Sequence, residues 1–290
     1  ESEYRYVFAA LADGHVAVID RAANALAARI PVATDSVFSA PRSVAATPDG
    51  TRAYVSLSGV AGIAMIDALT LQEVDLDPTT PAIDHIQLPA GAQPFLMSTD
   101  PQGRYLYVSD EALGRVYAVD IDPASARYHQ VTVLEIGSAG AGLRGLDVSA
   151  DGRRLYVASP AVGPWDPSSR FGKIIVVDTD PASPTFQQRI AAIDAGLEPY
   201  GVTASADPNL ITFTNRGADG SGFGVIRADA VIPNKWSVSY LALNLGSSTD
   251  YFDVNNGEGV AVLPDLSYAF VTGFNRFIQA LPSHDPNYDP

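Results

Sequence analysis

The 290-residue chain contains no cysteine, which excludes disulfides, thiolate nucleophiles and cysteine-ligated zinc or iron–sulfur centres. Histidine is nearly as scarce: His15, His85, His129 and His284 are scattered, with no i, i+4 pair to seed a zinc site. Lys173 and Lys235 are the only lysines, and 18 basic residues face 33 acidic ones for a net charge of -15. Nucleic-acid affinity rests on basic side chains that neutralise phosphates, so no nucleic-acid partner is expected. No apolar run approaches the roughly 18 to 20 residues of a membrane helix, so no membrane-spanning segment is expected. The sequence also lacks a Gly-x-Ser-x-Gly elbow, a Cys-x-x-Cys-His haem attachment and a Gly-x-x-x-x-Gly-Lys phosphate loop. Helical periodicity never persists beyond about one turn.

What is present is a repeat. Five turn signals punctuate the chain: Thr47-Pro-Asp-Gly50, Asp100-Pro-Gln-Gly103, Ser149-Ala-Asp-Gly152, Ser205-Ala-Asp-Pro208 and Leu263-Pro-Asp-Leu266. Each is flanked by short apolar stretches with strand-like alternation, such as Tyr105, Tyr107 and Ser109 against Leu106 and Val108. A period of about fifty residues built from short strands specifies an all-β fold, a β-propeller of four-stranded antiparallel blades. About six blades are expected in this chain, as one domain over 1–290 with repeats near 4–42, 43–94, 95–143, 144–200, 201–257 and a partial 258–290. The first repeat begins at a B-type strand and the last stops after A, B and a C near 276–281. Two arrangements follow: a segment of a seven- or eight-bladed ring, which is preferred, or six blades with atypical ends. Strand D of the second repeat is expected at 83–88. The stretch Arg21–Ala28 has helix propensity, but its place in the repeat predicts a hairpin leading into strand D.

Segments such as Thr47-Pro-Asp-Gly-Thr-Arg-Ala-Tyr-Val-Ser56 and Ala150-Asp-Gly-Arg-Arg-Leu-Tyr-Val-Ala158, followed by Met65-Ile-Asp67 and Val176-Val-Asp178, resemble the YVTN-type β-propeller repeat. The resemblance runs over nearly the whole chain and is specific for fold rather than activity. That family includes surface-layer and adhesion-associated repeats of exported microbial proteins; related propellers include phosphogluconolactonase-type lactonases and haem- or quinone-dependent redox enzymes. The resemblance implies an exported setting: periplasmic, cell-surface or secreted. Glu1-Ser-Glu-Tyr4 is no signal peptide, as is also true of a processed exported chain.

Aligning the repeats on their turns brings Arg42, Phe95, Arg144, Tyr200 and Glu258 to one equivalent position, eight residues before the turn glycine or its counterpart. These should converge where strand A enters the central channel. Arginine forks and aromatic faces at one mouth suit an anionic or carbohydrate-like ligand; alternatively Arg42 and Arg144 pair with Glu258 or nearby carboxylates and seal the channel. Long loops share that face, and Trp165, Asp166 and Arg170 in 160–172 are further binding candidates. Asp250, Asp253 and Asn255 offer oxygens to a calcium ion, with Gly257 out of the EF-hand order. The paired hexapeptides Asp120-Ile-Asp-Pro-Ala-Ser125 and Asp178-Thr-Asp-Pro-Ala-Ser183 read as turn caps, with calcium as the other possibility. The sequence therefore favours a non-enzymatic binding or scaffold module of a longer exported protein, needing no cofactor. Its partner would be a protein, a glycan or another domain of the same chain; the alternative is a lactonase-like hydrolase acting at the channel mouth.

Overall fold

The computed structural model describes residues 5–33, 39–137, 142–160, 172–216, 222–229, 232, 235–241 and 257–273. Among them no helix occurs, and the strands form six antiparallel sheets in chain order. The first holds β1 (Tyr6–Leu11), β2 (His15–Asp20) and β3 (Ala25–Pro31). The second holds β4 (Pro41–Ala46), β5 (Arg52–Leu57), β6 (Gly62–Asp67), β7 (Gln72–Val74) and β8 (Ile86–Gln87). The third holds β9 (Pro94–Thr99), β10 (Tyr105–Asp110), β11 (Arg115–Asp120) and β12 (Val131–Glu135); the fourth holds β13 (Leu146–Val148), β14 (Arg154–Ser159), β15 (Lys173–Asp178) and β16 (Arg189–Asp194). The fifth holds β17 (Pro199–Ala204), β18 (Leu210–Asn215), β19 (Phe223–Ala228) and β20 (Trp236–Leu241), and the sixth β21 (Gly257–Val262) and β22 (Ala269–Gly273). The fold is an all-β propeller of about five to six blades.

The turn signals act as read. Gly50, Gly103 and Gly152 take φ of 68°, 70° and 73°, the left-handed region a tight A–B hairpin requires. Thr47 donates to Asp49, whose carboxylate also accepts the Thr51 amide, so the turn is closed by its own side chains. Strand A of each blade lies against strand A of the next, β4 on β9, β9 on β13, β13 on β17 and β17 on β21, around the channel. β1 is B-type as expected: Tyr6 stands opposite Asp20 just as Arg52 faces Asp67 and Tyr105 faces Asp120.

In the second to fourth blades strands B and C are buried on both faces, because each sheet is sandwiched between neighbours; β5, β10, β14 and β15 are buried at all but their first residue. Four apolar clusters fill the seams between the first five blades. Each fully buried Val, Ile or Leu there contributes about 1.5–3 kcal/mol. The Arg21–Ala28 region turns and then enters β3, as its place in the repeat requires. Strand D of the second blade differs from expectation. It is split in two: β7 pairs with Met65–Asp67, β8 pairs with Gly62 and Ile63, and 75–85 loops out between them. The expected strand C near 276–281 lies outside the described residues.

Candidate functional site

The mouth positions are set by β-bulges. In β4, β9, β17 and β21 the ladder slips at Arg42, Phe95, Tyr200 and Glu258, leaving these residues outside regular pairing. The amide one residue further on loses its ladder partner and donates instead to a strand-B hydroxyl. Ser43 donates to Ser56 Oγ (3.0 Å), Leu96 to Ser109 Oγ (3.2 Å), Gly201 to Thr214 Oγ1 (2.9 Å) and Gly259 to Thr272 Oγ1 (3.1 Å). A bulge bends the strand and re-aims a side chain, which here serves the mouth. The fourth blade has Ala158 where the others have Ser or Thr; there the equivalent amide, that of Gly145, donates to the Tyr200 carbonyl, and Arg144 donates to the Ala158 carbonyl.

The five aligned side chains do converge. Phe95 meets Tyr200 edge-on with centroids 6.1 Å apart, and the Arg42 and Arg144 guanidinium carbons lie 5.1 and 5.8 Å from the Phe95 ring centre. Their ion partner is not Glu258. Arg42 donates to Glu111 Oε2 at 2.7 Å, and Arg144 Nη1 lies 3.8 Å from Glu111 Oε1 while donating to the Glu111 carbonyl at 3.3 Å. Glu258 is bound instead by Arg216, whose guanidinium also covers the Tyr200 ring at 3.4 Å. Burial pushes the Tyr200 phenol upward, and Arg216 opposes that shift.

Glu111 and Arg216 carry no mark in the strand-A alignment. Each directly follows a strand B, β10 or β18, so the same alignment applied to strand-B ends would have found both. Gly142 makes room for this contact, because a Cβ there would collide with the Glu111 carbonyl. Three guanidiniums and two carboxylates thus face one another, and their side chains keep between 24% and 42% of their surface exposed. They form a half-open mouth, with one positive charge in surplus among the described residues.

Further along the channel wall, Asp147 ties three blades together. Ser98 Oγ donates to Oδ1 at 2.7 Å and the Ala204 amide to Oδ2 at 2.9 Å. Enclosure of this carboxyl pushes its pKa up against those hydrogen bonds.

The paired hexapeptides are cap loops. Asp120 accepts from Asp122 N and Ser125 Oγ; Asp178 accepts from Asp180 N, Ser183 Oγ and Thr185 Oγ1. Hydroxyls and amides already occupy these oxygens, and no group of three or more metal-ligating side chains occurs among the described residues. The candidates Trp165, Asp166, Arg170, Asp250, Asp253 and Asn255 lie outside the described residues. Among those residues no helix is long and apolar enough to cross a membrane.

No protein-family model and no curated protein matches the sequence. Solved structures do. Hydrazine synthase of Kuenenia stuttgartiensis is similar at a TM-score of 0.69 and 19% identity, over 92% of this chain and 70% of that one. A protein titled a putative 6-phosphogluconolactonase from Bacteroides uniformis matches at 0.60 and 16% identity, over 83% of this chain and 72% of that one. The Cps50 (Swd1) β-propeller domain from Myceliophteria thermophila matches at 0.63 and 12%, over 93% and 77%. Such distant likenesses share the propeller fold and no more.

Proposed function

We propose that this chain is a non-enzymatic binding module of a larger exported or cell-surface protein, whose channel mouth receives an anionic group of a protein or glycan partner. The observation that carries this reading is the surplus guanidinium around Phe95: Arg42 and Arg144 share the single carboxylate of Glu111 and stay partly exposed. Shared in this way, the two forks are preorganised but not fully satisfied, so a carboxylate or sulfate can add charge-assisted hydrogen bonds. Phe95 and Tyr200 give the site an apolar floor. No cofactor is needed.

The second reading, a lactonase-like hydrolase, draws on the neighbours titled putative 6-phosphogluconolactonase. A hydrolase of that kind needs a base free to activate water. Both described mouth carboxylates are instead held by arginines, which favours the binding role.

Affinity capture tests the proposal, with carboxylated and neutral glycans and acidic peptides as bait. Retention of carboxylated bait that is lost in the Arg42→Ala/Arg144→Ala variant is expected. Equal retention of neutral bait, or an unaffected double variant, would overturn it. Lactone hydrolysis by the same preparation would favour the second reading.

A further inference from the structure

Asp110 ends β10 fully buried, and four neutral donors fill its carboxylate. Oδ1 accepts the Ala112 and Leu113 amides, both at 2.8 Å. Oδ2 accepts the Gln93 amide at 3.1 Å and the Tyr117 hydroxyl at 2.6 Å. A carboxylate taken out of water is costly unless its lone pairs find donors, and here they do. The Oδ1 half is an ordinary turn contact, repeated at Asp20 and Asp67. The Oδ2 half is different, because it ties the entry of strand A and the middle of strand C to the end of strand B.

The scaffold does not ask for a charge at this place. Strand B ends in Leu57, Ser159, Asn215 and Gly273 in the second, fourth, fifth and sixth blades. What sets the third blade apart is the next residue, Glu111, the carboxylate that meets both Arg42 and Arg144.

The backbone of Glu111 is fixed from both sides. Its amide donates to the Gln93 carbonyl at 2.9 Å, the residue whose own amide Asp110 holds. Its carbonyl accepts Arg144 Nη1 and lies against Gly142 of the fourth blade. The Asp110 carbonyl accepts the Leu143 amide at 2.7 Å, beside Arg144. Asp110 thus secures the turn 110–113 at both edges and joins it to the neighbouring blade. With that backbone held, only the Glu111 rotamer is left to settle, and it turns to the arginines.

We infer that Asp110 is the positioning residue of the channel mouth: by locking the turn that carries Glu111, it fixes where Arg42 is held. That the held arginine serves a ligand rests on the binding role proposed above; the holding itself is measured without any ligand.

The test is exchange of the Arg42 guanidinium protons with water, followed by NMR on the whole chain. Glu111→Gln should speed this exchange by about two- to fivefold, the range of a partly exposed ion pair. Asp110→Asn keeps the size of the side chain but turns one acceptor into a donor, and should speed it comparably. The double variant should add nothing further, because both changes act on one contact. Arg104, paired with Asp100 at the other end of the same blade, should keep its wild-type rate. Wild-type exchange at Arg42 in a folded Asp110→Asn variant, additive effects in the double variant, or an equal rise at Arg104 would each overturn the inference. Should Asp110→Asn not fold, Tyr117→Phe removes a single donor and leaves the turn amides in place. A rise at Arg42 without one at Arg104 then supports the inference, and no rise overturns it. Because no ligand enters this assay, a failed capture of carboxylated bait overturns the reading of the mouth and not the role of Asp110.

Discussion

Thr214 Oγ1 accepts the Gly201 amide at 2.9 Å, and this one contact holds the bulge that turns Tyr200 into the channel mouth. Both groups are buried, so the amide has no water to fall back on. Thr214→Val keeps the shape and removes the acceptor, and should cost about 1–3 kcal/mol, the usual penalty for an orphaned buried donor. Urea unfolding measures it. Ala158→Ser, in the fourth blade, should bring no comparable gain, because the equivalent amide there, that of Gly145, already donates to the Tyr200 carbonyl.

Glu111 restrains two arginines at once. Partly exposed pairs contribute only about 0.2–1 kcal/mol each, so Glu111→Gln should leave melting nearly unchanged. It should nevertheless strengthen retention of carboxylated bait, since the mouth gains a full positive charge. Weaker retention, read on the same capture assay with salt held constant, would contradict the proposed role.

Gly145 sits at a close approach of the fourth and fifth blades. Its amide donates to the Tyr200 carbonyl at 2.7 Å, and a Cβ would come within 2.5 Å of that same oxygen. Because the obstacle is backbone, the blades themselves must separate. Gly145→Ala should destabilise by about 1–3 kcal/mol, in the range of core overpacking. A loss of mouth binding larger than the stability loss explains would show that the wedge also moves Arg144.

His129 is enclosed between Tyr54 and Tyr128, and burial, helped by Arg52, pushes it down to about 4. An unfolded histidine titrates near about 6.5, so the unfolded chain takes up the proton first as the solution is acidified. The stability due to neutral His129 is whole above about 6.5 and is lost as pH falls towards about 4. His129→Asn tolerates the positive φ of 63° and removes that proton. The urea midpoint of the variant should therefore fall less steeply over this window.

Asp147 runs the other way. Its pKa is raised by enclosure, so relative to the unfolded chain it favours the protonated form. Its contribution is best in acid and declines as pH climbs from about 4 through the raised folded value. Asp147→Asn is neutral throughout. The variant's stability relative to wild type should increase as pH rises from acid to neutral, and a flat difference would show that the carboxyl is better solvated than its contacts imply.

The repeat was legible because its signals are local. Asp-Gly turns close on their own side chains, and strand alternation depends only on near neighbours. The split strand D of the second blade was not, because β7 and β8 are defined by which residues of β6 they pair with rather than by their own composition. The convergence of Arg42, Phe95, Arg144, Tyr200 and Glu258 could be inferred from repeat equivalence alone. The slip that aims four of them was also written in the chain, in the Ser or Thr that ends Tyr-Val-Ser56, Tyr-Val-Ser109, Phe-Thr214 and Val-Thr272, though its meaning depends on the amide across the ladder.

Local chemistry along the chain thus settles the blades, their turns and the five positions at the mouth. Tertiary structure alone chooses the partners. Arg42 binds Glu111, 69 residues away, rather than Glu258, because ion pairing follows distance across the ring and not repeat register. Likewise the hexapeptides read as turn caps in one dimension, and only the packed seams reveal them as arms that carry an aromatic to the preceding blade.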